Sequence, residues 1–137
     1  MRILRNCIFM SLILMTVSVS AEDRHTSNPL IEEMRSLDTS IREIVSAVAT
    51  AEGERVIRSI ETLHGLREKT HQAIKSGIVR LPRNQHRIKE FLKLDMKFHA
   101  ELDLLLKAAR KNNQRKMLIL TNKLLEGCVN CHRVFKR

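Results

Sequence analysis

The sequence predicts an all-α protein, an antiparallel up-down-up-down four-helix bundle, on the basis of composition and two features of its pattern. Aromatic residues make up only 3% of the 137 residues and hydrophobic residues 43%. Strands favour aromatic and β-branched residues, so this aliphatic composition favours helices. Apolar residues recur at steps of three and four in four stretches, as on one face of a helix. Short turns join these stretches, and short connections make neighbouring helices antiparallel.

Residues 1–21 are interpreted as a signal peptide rather than as part of the bundle. Arg2 and Arg5 precede an apolar run, and small residues follow at 19–21, which is the pattern of a cleaved export signal. The run is too short to cross about 30 Å of hydrocarbon as a helix. An uncleaved N-terminal anchor is the alternative. The bundle is expected to occupy residues 22–137 as one domain.

The first helix is expected to begin at Asn28-Pro29, since Asn caps helices and Pro suits the first helical position. Its buried seam contains six residues: Leu30, Met34, Leu37, Ile41, Ile44 and Val48. Gly53 lies in the first break. The second helix is expected to continue without interruption to about Gly77, with a similar seam: Val56, Ile60, Leu63, Arg67, His71 and Ile74.

Leu81-Pro82 marks the next turn, because Pro disfavours helix in the residue before it. The third helix is expected from about Asn84, with Ile88, Phe91, Phe98, Leu102, Leu105 and Ala109 on its seam. The fourth follows the break at 111–113, with Met117, Leu120, Leu124, Cys128, Cys131 and Phe135 on its seam. In an up-down bundle the start of the first helix, the second turn and the chain's C-terminal end lie together.

The segment Cys128-Val-Asn-Cys131-His132 is the most informative motif. Cys-x-x-Cys-His is typical of c-type haem attachment. Residues at i, i+3 and i+4 share one helix face, so two thiols can reach two vinyl groups of one porphyrin while the imidazole binds iron. Removal of Cys7 with the signal would leave this pair alone. A disulfide between them would close a very small loop, and a zinc site needs about four ligands.

The C-terminal sequence Cys128-Val-Asn-Cys131-His132-Arg-Val-Phe-Lys136 resembles the class II c-type cytochromes, the cytochrome c-prime family and its low-spin relatives. Those proteins are exported bacterial four-helix bundles with the haem motif near the C-terminus. The resemblance implies one covalent haem c and a periplasmic one-electron carrier that is not an enzyme. Cys128 and Cys131 would form the thioethers, His132 would be the proximal iron ligand, and Lys136 would lie beside it.

The same resemblance places the first turns of the first helix over the distal face of the haem. Leu30, Ile31 and Leu37 would form that distal wall. Met34 is the candidate sixth ligand, because a thioether can bind haem iron; ordinary core packing is the alternative for a seam Met. Some members of the family have no Met ligand, and their five-coordinate iron binds nitric oxide or carbon monoxide. That gas-binding function is the alternative to electron transfer.

Other side chains are candidates for binding the haem iron or the haem propionates. His71 is a competing ligand on the second seam, His86 and His25 are weaker ones, and His64 and His99 are expected to lie too far along the bundle. Four basic residues around the second turn are candidates for the haem propionates, or else solvated surface charges: Lys75, Arg80, Arg83 and Arg87.

Charge and composition narrow the classes of partner. Loss of Arg2 and Arg5 with the signal would lower the formal net charge from +10 to +8. A basic surface favours acidic redox partner proteins or an anionic membrane face, or simply keeps the chain in solution. Nucleic acid is not expected, because no aromatic platform accompanies the basic residues. No later segment is apolar enough to span a membrane. The resemblance to the class II cytochromes also implies a possible homodimer, since members of that family are often dimers. An exported helical bundle whose haem is incidental is the third function class.

Overall fold

The computed structural model describes residues 28–136, and these contain helices and turns without strands. The elements are α1 (Pro29–Ala49), α2 (Gly53–Glu61), α3 (Leu66–Lys75), a 3₁₀ turn (Gln85–Arg87), α4 (Ile88–Arg110) and α5 (Gln114–Phe135). The all-α prediction is therefore confirmed for these residues. The predicted signal peptide and His25 lie outside them. None of the described helices combines the length and apolar character that crossing a membrane requires.

Two helices begin where their Asn residues predict. The side chain of Asn28 accepts hydrogen bonds from the backbone N–H groups of Leu30 at 3.1 Å and Ile31 at 3.4 Å. Asn113 accepts one from the N–H of Lys116 at 3.0 Å. These side chains satisfy N–H groups that have no partner within the helix. Asn112 has a φ of 48°, and this left-handed residue separates α4 from α5.

The prediction of one continuous second helix is wrong, because residues 62–65 interrupt it and leave α2 and α3 as separate helices. Gly65 has a φ of 77°, a left-handed conformation that a helix cannot contain. Before it, the Thr62 hydroxyl donates to the Ser59 carbonyl at 2.8 Å. Leu63 and His71, on either side of Gly65, are nevertheless both buried. The seam therefore continues through the break, which is why apolar spacing did not reveal it.

The buried side chains form two clusters. The larger one joins α1, α2, α4 and α5, and its fully buried members include Ile44, Leu105, Met117 and Leu124. The smaller cluster contains Leu30, Ile74, Phe91 and Phe135, with the two aromatic rings edge to face at 5.4 Å. It brings together the first turn of α1, the last turn of α3, the start of α4 and the end of α5. Met34 packs against both clusters.

We expect Gly65→Ala to lower the free energy of unfolding by about 1 kcal/mol, because an L-residue is strained in the left-handed region. An added Cβ would meet nothing within 4 Å, so the cost is one of backbone conformation alone. Urea unfolding followed by circular dichroism measures it. Lys69→Ala, at an exposed site in α3, is the control and should change stability by less than about 0.5 kcal/mol. An unchanged or stabilised Gly65→Ala protein would contradict the left-handed conformation at this break.

Candidate functional site: a cavity beside the cysteine pair

The apolar seam of α5 is closed at both ends and open in between. Met117, Leu124 and Phe135 are 0%, 0% and 3% exposed, whereas Cys128 and Cys131 are only half-buried and carry free thiols. All five residues lie on the same face at helical spacing. The neighbouring helices therefore cover this face everywhere except at the level of the two cysteines.

Two apolar cavities of about 510 Å³ and 490 Å³ adjoin the cysteine pair. They share five lining residues, from α1 and α5: Met34, Asp38, Arg42, Cys131 and His132. The first cavity also reaches Cys128, and the second reaches Lys136. Volumes of about 300 to 1,000 Å³ are typical of small-molecule and cofactor sites. The open section of the seam is thus large enough for a cofactor.

The structure places the other predicted site residues on these cavity walls as well. Leu37 lines the first cavity, and Leu30 and Ile31 line the second. Among the described histidines only His132 lines either cavity. His71, the main competing ligand, instead lies in the core with its Nε2 2.7 Å from Asp95 Oδ2.

The basic residues at the cavities differ from those expected. Lys75, Arg80, Arg83 and Arg87 line neither cavity, and Arg87 pairs instead with Glu90 through two contacts of 2.7 Å. Arg42 lines both, paired with Asp38 at 2.9 Å, and Arg35 lines the second cavity. Arg42 lies eight residues after Met34, two turns along one helix face. That spacing is the signal that could have identified it.

Burial keeps the two thiols protonated. Desolvation raises the pKa of Cys128, and desolvation followed by the nearby charge of Asp95 raises the pKa of Cys131 to about 11. Catalytic and redox-active Cys-x-x-Cys pairs have lowered thiol pKa values, because the thiolate is the nucleophile. Zinc ligation requires the thiolate too. The environment of this pair therefore disfavours both a disulfide-exchange centre and a zinc site.

The surroundings of His132 favour the neutral form of its imidazole. Partial desolvation and then the positive charge of Lys136 lower the pKa of its imidazole. The neutral ring is the form that binds a metal ion through a free nitrogen lone pair. His132 is thus held in its ligating form at neutral pH, next to two protonated thiols.

Gly127 lets α5 approach α4 beside the first cavity. A Cβ at this position would lie 3.2 Å from Cδ2 of Phe98, which is closer than ordinary van der Waals contact. Both residues line the cavity next to Cys128. A Gly inside a helix costs roughly 1 kcal/mol relative to Ala, and this close contact gives the reason for its presence.

A buried polar cluster, formed by Glu33, His71, Asp95 and His99, lies near the cavity and was missed in the sequence. His99 Nε2 lies 3.0 Å from Glu33 Oε1 and 3.9 Å from Asp95 Oδ2, and Asp95 also lines the first cavity. His99 itself lines neither cavity, and the expectation that it lies too far along the bundle to be a haem ligand stays a prediction. Desolvation and the neighbouring Glu33 raise the pKa of Asp95. The available signal was Asp95 itself, a polar residue at the seam position after Phe91.

No protein-family model, curated protein or solved structure matches the chain. Its function has to be inferred from its own residues.

We expect His71→Ala to lower the free energy of unfolding by about 3 to 5 kcal/mol at neutral pH, because it leaves the buried Asp95 carboxylate without its partner. His64→Ala, at an exposed position, is the matched control and should change stability by less than about 0.5 kcal/mol. Urea unfolding of both variants measures the difference.

The pH dependence of that loss has a definite sign. A carboxyl group with a raised pKa in the folded state is stabilising when protonated and destabilising once ionised. The stability deficit of His71→Ala should therefore grow as the pH rises through the folded pKa of Asp95 and narrow as the pH falls. A deficit independent of pH would show that lost packing, rather than an unpaired charge, causes it.

Proposed function

We propose that the chain is an exported c-type cytochrome with one covalent haem that carries single electrons between partner proteins. One observation carries the proposal: two free thiols lie one helical turn apart on an otherwise buried seam, at the wall of an apolar cavity. His132, with its neutral imidazole favoured, adjoins the same cavity. Cysteine, cysteine and histidine at this spacing are the residues that c-type haem attachment requires.

The residues that would hold the haem follow from this arrangement. Cys128 and Cys131 would form the two thioether bonds, and His132 would bind the iron on the proximal side. The haem would supply one-electron redox chemistry. Leu37 on the wall of the first cavity, with Leu30 and Ile31 on the second, would exclude water from its faces. Exclusion of water strengthens every electrostatic interaction in the site.

The charged residues on the cavity walls have a separate role in the proposal. Arg42 and Lys136 present cationic groups at the second cavity, where they can attract the haem propionates. Charge-assisted hydrogen bonds of this kind are stronger than neutral ones. Partial burial and then the positive charge of Lys136 lower the pKa of His132, and both favour the neutral imidazole that would bind iron.

Met34 decides between electron transfer and gas binding. Among the described residues of α1, Met34 alone packs against both core clusters. It also lines both cavities, as Cys131 and His132 do. A Met ligand would close the sixth position and raise the reduction potential. The alternative function, capture of nitric oxide or carbon monoxide by five-coordinate iron, follows if Met34 only packs. Its position on the walls of both cavities favours the ligand role, and its contacts with both clusters are the observation behind the alternative.

The up-down-up-down topology belongs to the same proposal. At one end, the Asn84 side chain donates to the Val134 carbonyl at 2.6 Å, joining the turn before α4 to the last turn of α5. Elsewhere the Gln114 side chain donates to the Val48 carbonyl, joining the start of α5 to the end of α1. Such pairing of starts with ends is what antiparallel neighbours require.

The net charge supports the proposed partners, and the predicted signal peptide supports the proposed compartment. After loss of Arg2 and Arg5 with the signal peptide, the formal charge of +8 attracts acidic proteins over distances of about 8 Å at physiological salt, so acidic redox proteins are the proposed partners. Periplasmic export follows from residues 1–21. Ile31 and Val45 are 41% and 42% exposed on α1, and this helix is the proposed contact in a homodimer.

We expect the full chain, coexpressed with a haem-attachment system, to gain the mass of one haem that survives denaturation. Cys128→Ala/Cys131→Ala should lose all covalent haem, as measured by mass spectrometry of the acid-denatured protein. Cys7→Ala is the matched cysteine control and should retain it, since Cys7 lies in the predicted signal peptide. A wild-type chain that gains no haem, or a double variant that keeps it, would rule out the proposal.

We expect the ferrous wild-type protein to keep a low-spin visible spectrum when carbon monoxide is added. Met34→Leu should become high-spin and bind carbon monoxide, and its reduction potential should fall, because the thioether ligand is lost. Met96→Leu, at a residue 56% exposed on α4, is the control and should behave as the wild type does. If the wild type itself binds carbon monoxide promptly, the gas-binding alternative replaces electron transfer.

A further inference from the structure

We propose that Glu33, Asp95 and His99 form a second metal site that binds a divalent first-row transition-metal ion, with zinc as the representative ion. The three residues offer two carboxylate oxygens and one imidazole nitrogen, all within 4.8 Å of one another. Glu33 lies on α1, and Asp95 and His99 lie four residues apart on α4. Positions i and i+4 share a helix face, so both ligands of α4 point toward Glu33.

The distances suit an ion placed among the three ligands. Zinc binds nitrogen and carboxylate oxygen at about 2.0 to 2.2 Å in tetrahedral geometry, which puts neighbouring ligand atoms about 3.3 Å apart. His99 Nε2 lies 3.0 Å from Glu33 Oε1 and 3.9 Å from Asp95 Oδ2. The two distances lie on either side of the ideal value, and all three ligand atoms lie within 4.8 Å of one another.

A second, independent observation at Glu33 points to cation binding. Glu33 is 0% exposed, and its Oε2 is a buried atom without a hydrogen-bond partner in the part of the chain that the structure describes. His99 engages only the other carboxylate oxygen. A buried polar atom without a partner loses the hydration of the unfolded state and gains nothing in return. A metal ion bound by this carboxylate would restore that lost interaction.

His71 supports the site from α3. Its Nε2 lies 2.7 Å from Asp95 Oδ2, so it fixes the orientation of a carboxylate that would bind the ion. Metal-binding carboxylates are characteristically held by hydrogen bonds of this kind. An ion at the site would thereby connect three helices, α1 and α4 through its ligands and α3 through His71.

The donor set selects the class of ion. One imidazole and two carboxylates, without a thiolate, suit zinc and neighbouring divalent ions rather than copper(I) or an iron–sulfur cluster. Three protein ligands leave a fourth position for water, as in zinc sites that exchange ligands. The His99 side chain is 11% exposed, and Asp95 lines the larger cavity. Both provide a path from solvent.

The test measures zinc bound by the purified full chain after treatment with a chelator and readdition of zinc. We expect one zinc per chain by mass spectrometry of the metal content and a higher Tm with zinc than without it. Glu33→Gln and His99→Gln should each weaken zinc binding at least tenfold and abolish the shift in Tm. Glu32→Gln and Asp103→Asn, exposed acidic sites on the same two helices, should leave both unchanged.

A second comparison separates this site from the cysteine pair. Cys128→Ala/Cys131→Ala must still bind one zinc, whether or not the wild type carries haem, because free thiols also bind zinc. Three results would overturn the proposal: no zinc bound by the wild type, zinc loss in the cysteine variant, or zinc retained in Glu33→Gln and His99→Gln. The last would mean that the four polar residues are simply two histidine–carboxylate pairs. If Glu33→Gln fails to fold, His99→Gln decides the result.

Discussion

The requirement that an amphipathic helix bury its apolar seam is the constraint on which the proposed site depends. α5 meets it at Met117, Leu124 and Phe135, and leaves it unmet at Cys128 and Cys131. Protein interiors are close-packed, and each gap forfeits dispersion contacts. A chain selected for packing alone would place large aliphatic residues where this one places two cysteines next to a glycine. A large apolar group attached through those cysteines would complete the core.

The buried polar cluster is the second departure from an aliphatic core, and it adjoins the first. Two carboxylates and two imidazoles that are largely buried are stable only in mutual contact, because removing either member of a buried pair leaves an uncompensated charge. Glu33 and His99 join α1 to α4, while His71 and Asp95 join α3 to α4. Three helices, of which α1 and α4 line the cavity, are thereby fixed relative to one another by polar contacts that a hydrophobic interface would not specify.

The sequence predicted most helix starts and part of the site, and the physical reasons for the failures differ. Caps such as Asn28 are local, so they can be identified from a few residues. The break at Gly65 could not, because the seam keeps its phase through it. Cys128, Cys131 and His132 form a contiguous motif. The contact of Glu33 with His99, in contrast, depends on how two helices that are distant in sequence pack together. It could not be predicted, because helical periodicity describes each helix by itself.

Under the proposed function, the residues around the cavity would set the reduction potential through their charges. A change of one charge on buried iron is felt strongly where the dielectric is low. Arg42 and Lys136 both line the second cavity, and Asp95, on α4, lines the first. The cations would favour the reduced haem, and an ionised Asp95 would favour the oxidised one. A metal ion bound by Glu33, Asp95 and His99 would add positive charge beside the cavity that Asp95 lines, so occupancy of this second site would move the potential upward.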